Sequence, residues 1–193
     1  NKNGQVIGLM HSNGQTTAID ANYASQLKVS GLSSLDAALR ETSIRTALPD
    51  TEEEAMTMMT LKKGQLNMQD YDKYADEFIE KFPTSAFGYK EKALGLVNDS
   101  KYEEAARMME TGIKKSAAKD EAHSDYSDII YQKIIYKGDS VYTAWTLDKA
   151  LDEARQAYAI KAQPVYKHQE ARILFTKGDY ADAANIFLDL TKT

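Results

Sequence analysis

From about Asp20 to the end of the chain, apolar residues recur at three-and-four spacing in short blocks separated by turn residues. Leu35, Ala38 and Leu39 share one helical face, as do Tyr71, Ala75 and Phe78, and Ala105, Ala106, Met109 and Ile113. Turn and cap residues set the predicted boundaries. Asp20 caps a helix to about Val29, stopped by Gly31, and Ser33 or Ser34 caps the next, which ends before Pro49. Glu52, Glu53 and Glu54 then form a first turn, where the helix dipole favours negative charge. That helix runs to Lys62 and Lys63 and closes at Gly64; Met68 to Lys81 is its partner, ended by Pro83. A third pair spans about Ser85–Val97 and Tyr102–Lys115 around the turn Asn98-Asp99-Ser100. In the fourth, a long helix over about Asp120–Tyr136 is followed by Lys137-Gly138-Asp139-Ser140 and by a helix to about Ala162 carrying Ala150, Ala154 and Ala157. The fifth runs from Pro164 through Gly178-Asp179 to about Leu190.

These blocks repeat. Pro49 and Pro83 are 34 residues apart, and 34 more lead to Ala117 at the same kind of junction. Ser25, Ala93 and Ser127 keep the beat, as do Ala37 and Ala105. A period of this length predicts stacked helical hairpins. The beat fails once: Ser127 to Ala171 is 44 residues, and the ten extra residues fall at the end of the long helix and in the loop before Trp145. Residues 1–17 stand outside the repeat. Gln5–Met10 and Thr16–Ile19 flank Ser12-Asn13-Gly14, a turn signal that fits a small β-hairpin, while a flexible leader fits equally well.

Ala171, Gly178, Tyr180, Ala183 and Phe187 fall at the spacing of a tetratricopeptide (TPR) repeat, and Ala93, Tyr102, Ala105 and Met109 match it in the third pair. The chain therefore resembles the TPR family over about residues 18–193. Two antiparallel helices pack closely only where one side chain is small, and the neighbouring aromatic fills the space beside it. The resemblance implies an all-α, right-handed superhelix of about five antiparallel pairs (about 18–49, 50–83, 84–117, 118–163 and 164–193), behind an N-terminal extension over 1–17. Met59 and Tyr71 depart from the pattern where small residues are expected.

Composition narrows the function. A net charge of -5 and no visible basic stripe argue against nucleic acid. No run of apolar residues is long enough for a transmembrane helix, and the absence of cysteine removes disulfides, thiolate nucleophiles and cysteine metal sites. The chain begins at Asn1 rather than Met; signal-peptide removal and truncation both explain this, and the expectation leans to an exported, periplasmic protein. His11, His123 and His168 are isolated, no nucleotide or nucleophile-elbow motif occurs, and carboxylate pairs such as Asp152 and Glu153 read as solvated. The reading is a protein that is not an enzyme and needs no cofactor.

In TPR proteins first helices line the concave surface and partner peptides lie along it. Carried over by register, the expected groove residues are Met56 and Thr60, Lys90 and Leu94, Asp128 and Tyr131, and His168, Arg172 and Phe175. Leu94 stands where a carboxylate clamp would need Asn, so no such clamp is predicted. Met56, Met58 and Met59 suit either an adaptable binding surface or helix packing, with packing favoured. The helix bearing Tyr126, Tyr131 and Tyr136 together with Ile129, Ile130, Ile134 and Ile135 is apolar on both faces and is expected to be buried on two sides. Tyr142 and Trp145 mark the departure from the repeat. Either the tryptophan tucks under its own helix pair, the favoured reading, or the loop holds a small molecule. The leading expectation is a scaffold that binds a protein or peptide through its concave face. The alternative is a homo-oligomer formed through Ile186, Phe187 and Leu190, which no later helix in the sequence covers.

Overall fold

The computed structural model describes residues 8–12, 16–20, 47–137 and 142–192. The expected first helix pair lies almost wholly outside these residues. The chain divides into two compact units, 1–47 and 48–193. In the first, strands β1 (Gly8–Ser12) and β2 (Thr16–Asp20) pair antiparallel, with Gly8 opposite Asp20 and Ser12 opposite Thr16. The two strands lie on either side of residues 13–15, and β2 extends through Asp20.

The second unit contains four described helix pairs: α1 (Glu52–Lys62) with α2 (Met68–Lys81), α3 (Ala86–Asn98) with α4 (Tyr102–Lys115), α5 (Lys119–Lys137) with α6 (Leu147–Ile160), and α7 (Pro164–Lys177) with α8 (Tyr180–Leu190). Caps explain the ends. The Thr51 hydroxyl donates to Glu54 Oε2 at 2.7 Å, and Asn67 Oδ1 accepts from Asp70 N at 2.9 Å. Pro164 opens α7, where a missing N–H costs nothing, and Gly178 ends it at φ 93°. The junctions between pairs are tied as well: Ala117 N donates to Thr84 O at 2.9 Å, and the Tyr89 hydroxyl to Pro83 O at 2.9 Å.

Small residues sit where the helices of a pair cross. Ala93, Ala105, Ser127, Ala150, Ala171 and Ala183 are all fully buried. Ser127 adds a polar tie, its hydroxyl donating to Ala150 O at 2.7 Å. Each second helix packs on the first helix of the next pair (α2 on α3, α4 on α5, α6 on α7), while α3 meets α5 and α5 meets α7. Among the described elements second helices make no comparable contact with each other. From α3 onward, successive first helices therefore touch one another as well as the second helices between them.

Met59 and Tyr71, the two large residues at small positions, are both buried, and Tyr71 turns its hydroxyl to Glu91 at 2.8 Å. Met58 packs with Met59 against the α1–α2 core, as the packing reading expects. The expectation for α5 holds through Ile134: Tyr126, Ile129, Ile130 and Tyr131 are buried and Ile134 packs on the core, but Ile135 and Tyr136 emerge at 41% and 77% exposure. The ten-residue insertion lengthens α5 past the point where its neighbours still cover it. Tyr102 is half-buried beside Trp145, with Lys133 over its ring, but its counterpart Tyr180 is 62% exposed against Phe175.

Candidate functional site

The helix register places the candidate residues and packing decides which of them meet. On α3, Lys90 reaches across to Asp125 of α5 at 2.8 Å. Burial opposes the charge on Lys90, but Asp125, with Glu91 and Asp128 behind it, more than offsets this and holds the ammonium above the usual lysine range. Burial pushes the Asp125 carboxyl up; Lys90 pulls it back, while Glu121 and Asp128 add to the push.

One turn further along α5, Asp128, Tyr131 and Arg172 come together. The Arg172 guanidinium lies 4.8 Å from the centre of the Tyr131 ring and 4.0 Å from Asp128, and it donates to Gln169 Oε1 at 3.0 Å. A cation over a ring is worth about 0.5–2 kcal/mol, depending on desolvation. The Tyr131 hydroxyl and Thr176 Oγ1 are 3.1 Å apart, joining α5 to α7 again. Phe175 extends the surface with an edge contact to Tyr180 at 5.2 Å, and stays 59% exposed.

The other expected groove residues stand apart from this group. Leu94 is half-buried against the core. His168 is exposed, its ring 5.7 Å from Phe187. Met56 packs on the α1–α2 core, and the Thr60 hydroxyl is spent on Met56 O at 2.8 Å. Both line a depression of about 600 Å³ on α1 with Glu52, Glu53, Thr57 and Leu61.

Sequence reasoning passed over Asp125, Gln169 and Thr176. A signal for two of them was present. Glu91, Asp125 and Gln169 stand two residues before Ala93, Ser127 and Ala171, so they share one register position. The polar group there is mostly withdrawn from solvent each time. Glu91 accepts from the Tyr71 hydroxyl and from Lys63 Nζ at 2.7 Å, Asp125 takes Lys90, and Gln169 takes Arg172.

Trp145 belongs to the core. It is 4% exposed, its indole N–H donates to the Tyr126 hydroxyl at 3.2 Å, and its ring meets Tyr102, Tyr126 and Tyr142 edge-on. This is the tucked arrangement favoured above, because an aromatic of this size fills the space the insertion opens between α4, α5 and α6. Tyr142 remains half-buried and lines a shallow depression of about 330 Å³ with Tyr102 and Arg107. At the far end, Ile186 and Phe187 turn partly inward onto the protein's own core and Leu190 is half-buried, whereas Leu188 is 60% exposed.

Among the described residues no group of three His, Asp or Glu could hold a metal ion, and no helix is long and apolar enough to cross a membrane. No family model and no curated protein matches the chain. Among solved structures it is similar to MamA from Desulfovibrio magneticus RS-1, at 17% identity over 74% of this chain and 75% of that one, with a TM-score of 0.49. A double mutant of MamA RS-1 gives 16% identity, the same coverage and a TM-score of 0.49. Pseudomonas aeruginosa PilF gives 13% identity over 72% and 74%, with a TM-score of 0.36. The paired antiparallel helices, the buried small residues at the repeat positions and the packing of each second helix on the next first helix make this a TPR-like helical repeat.

Proposed function

We propose that this protein is a non-catalytic interaction scaffold that holds a segment of a partner protein along the first helices α3, α5 and α7. One observation carries the reading. Residues from successive first helices, separated by more than 30 positions in sequence, converge on a single face as Lys90 with Asp125 and Asp128 with Tyr131 and Arg172. Beside them Phe175 stands 59% exposed. A rigid polar cluster flanked by an exposed aromatic is the composition of a binding hot spot, where truncation of one side chain costs more than about 1 kcal/mol. The small repeat residues fix the helices, so the face is held in one geometry before a partner arrives.

The test is selection of peptides from a random display library against the intact chain, followed by NMR mapping of the selected peptides. Shifts should concentrate on α3, α5 and α7. Phe175→Ala should weaken binding about five-fold or more at unchanged helicity. Shifts confined to the second helices, or binding indifferent to Phe175→Ala, would overturn the assignment.

A further inference from the structure

The charge of this face says more about its occupant. Glu121, Asp125 and Asp128 fall at i, i+4 and i+7 on α5 and so form one stripe. Glu121 is exposed and has no ion pair among the described residues. The Asp128 carboxylate is 47% exposed, with its nearest cation, Arg172, at 4.0 Å, beyond hydrogen-bond length. The two cations of the face are engaged: Lys90 on Asp125, and Arg172 on the Tyr131 ring and Gln169. The stripe is left with negative charge to spare.

Two further features mark the face as incomplete. Gln169 is 6% exposed; its Oε1 accepts from Arg172, while Nε2, a buried donor beside the cluster, has no acceptor among the described residues. Buried donors are nearly always satisfied, and a docked backbone carbonyl beside Arg172 reaches this one once the Gln169 side chain shifts toward the surface. Exposed apolar side chains also flank the stripe, Ile135 on α5 and Phe175 on α7.

We propose that the segment held here is cationic: an extended stretch of Lys or Arg interleaved with apolar residues. Its basic groups meet Glu121 and Asp128, and its apolar residues meet Phe175 and Ile135. The inference rests on the first-helix face being the binding surface and adds the chemistry of what binds. An acidic segment or a nucleic-acid phosphate would bring negative charge onto carboxylates that the protein leaves uncompensated.

The probes are three labelled peptides of equal length with identical leucines, whose remaining positions are lysine, glutamate or glutamine. Fluorescence anisotropy with the intact chain reads their affinities at low and high salt. The lysine peptide should bind about tenfold or more tighter than the glutamate peptide, with the margin shrinking as salt rises. The double variant Glu121→Gln/Asp128→Asn, which touches two solvent-accessible side chains, should reduce that margin to about threefold or less at unchanged helicity. Equal or tighter binding of the glutamate peptide would overturn the proposal, and so would a lysine preference undiminished in the double variant. If the glutamine or glutamate peptide binds best and Phe175→Ala weakens it, the face is a binding surface and only its cationic preference fails. If no peptide responds to Phe175→Ala or to the α5 variant, the binding surface itself is refuted.

Discussion

Glycines within the helices provide a sharp test of the packing, because the same substitution should act in opposite directions at different positions. Gly112 of α4 lies against Tyr89 of α3. A Cβ there would come within 2.8 Å of Tyr89 Cβ and 3.1 Å of Cγ, the root of the side chain, which cannot swing aside. Gly88 is similarly closed, at 2.8 Å from Phe78 Cδ1 and 2.9 Å from Ile79 Cγ1. Overpacking of this kind costs about 1–3 kcal/mol. Alanine for glycine inside a helix returns about 0.8–1.0 kcal/mol. The contact at Gly112 is with the unyielding root of Tyr89, so the upper part of that range, about 2–3 kcal/mol, applies, and Gly112→Ala should destabilise by about 1–2 kcal/mol net. Gly95 of α3 differs: a Cβ there would meet only Asp72 Oδ1, at 3.2 Å. That oxygen ends a flexible side chain, and Lys92 keeps its second partner Asp76 at 2.8 Å if Asp72 yields. Gly95→Ala should keep most of the helix gain, about 0.5–1 kcal/mol. For a chain of this size each kcal/mol moves the melting temperature by about 2–4 °C. Thermal unfolding followed by circular dichroism should thus place Gly112→Ala about 2–8 °C below the parent and Gly95→Ala about 1–4 °C above it. Shifts of the same sign in both variants, or a Gly112→Ala protein as stable as the parent, would refute the close approach of α3 and α4 at Tyr89.

Two more tests address the polar ties. Burial pushes the Tyr126 phenol up to about 12, so it stays protonated as the acceptor for Trp145. Tyr126→Phe leaves a buried indole N–H unpaired and should cost about 1–3 kcal/mol in urea unfolding, with a shift in the emission of the single tryptophan. Burial opposes the charge on Glu153, but hydrogen bonds from His123 at 2.5 Å and Lys149 at 2.6 Å outweigh it and hold the carboxyl below the usual glutamate range. A carboxyl lowered on folding adds stability that is present above its unfolded value, about 4.3, and is lost as pH falls through the folded one. Glu153→Gln should therefore be less stable than the parent near neutral pH and lose less stability below about pH 4; urea midpoints across that range measure it, and a parallel fall in both proteins would refute the tie.

The boundaries of the described helices were legible because the signals are local. Thr51 and Asn67 cap by reaching three residues ahead, Pro164 opens a helix with its own ring, and Gly178 closes one by adopting a positive φ. The candidate surface was legible in part, since register alone puts Lys90, Asp128 and Arg172 on first helices. The partner of Lys90 was not. Asp125 is one of several acids on α5, and only the stagger between α3 and α5 selects it. Glu153 shows the limit most clearly. Beside Asp152 it reads as a solvated charge, yet α6 turns its side chain to 7% exposure beneath His123. Sequence spacing gives the face of a helix and leaves its rotation against a neighbour undetermined.

The sequence by itself determined a repeat of helical hairpins, its 34-residue period, the small residues at the crossings and the place where the period breaks. Those properties follow from backbone propensity and side-chain size, which act over a few residues. Tertiary structure decided that the break buries Trp145, that Tyr136 and Tyr180 stay exposed, and that Asp128, Tyr131 and Arg172 meet on one face. These outcomes depend on the stagger and separation of helices, set by the volume of every side chain between them, and no single segment encodes that sum.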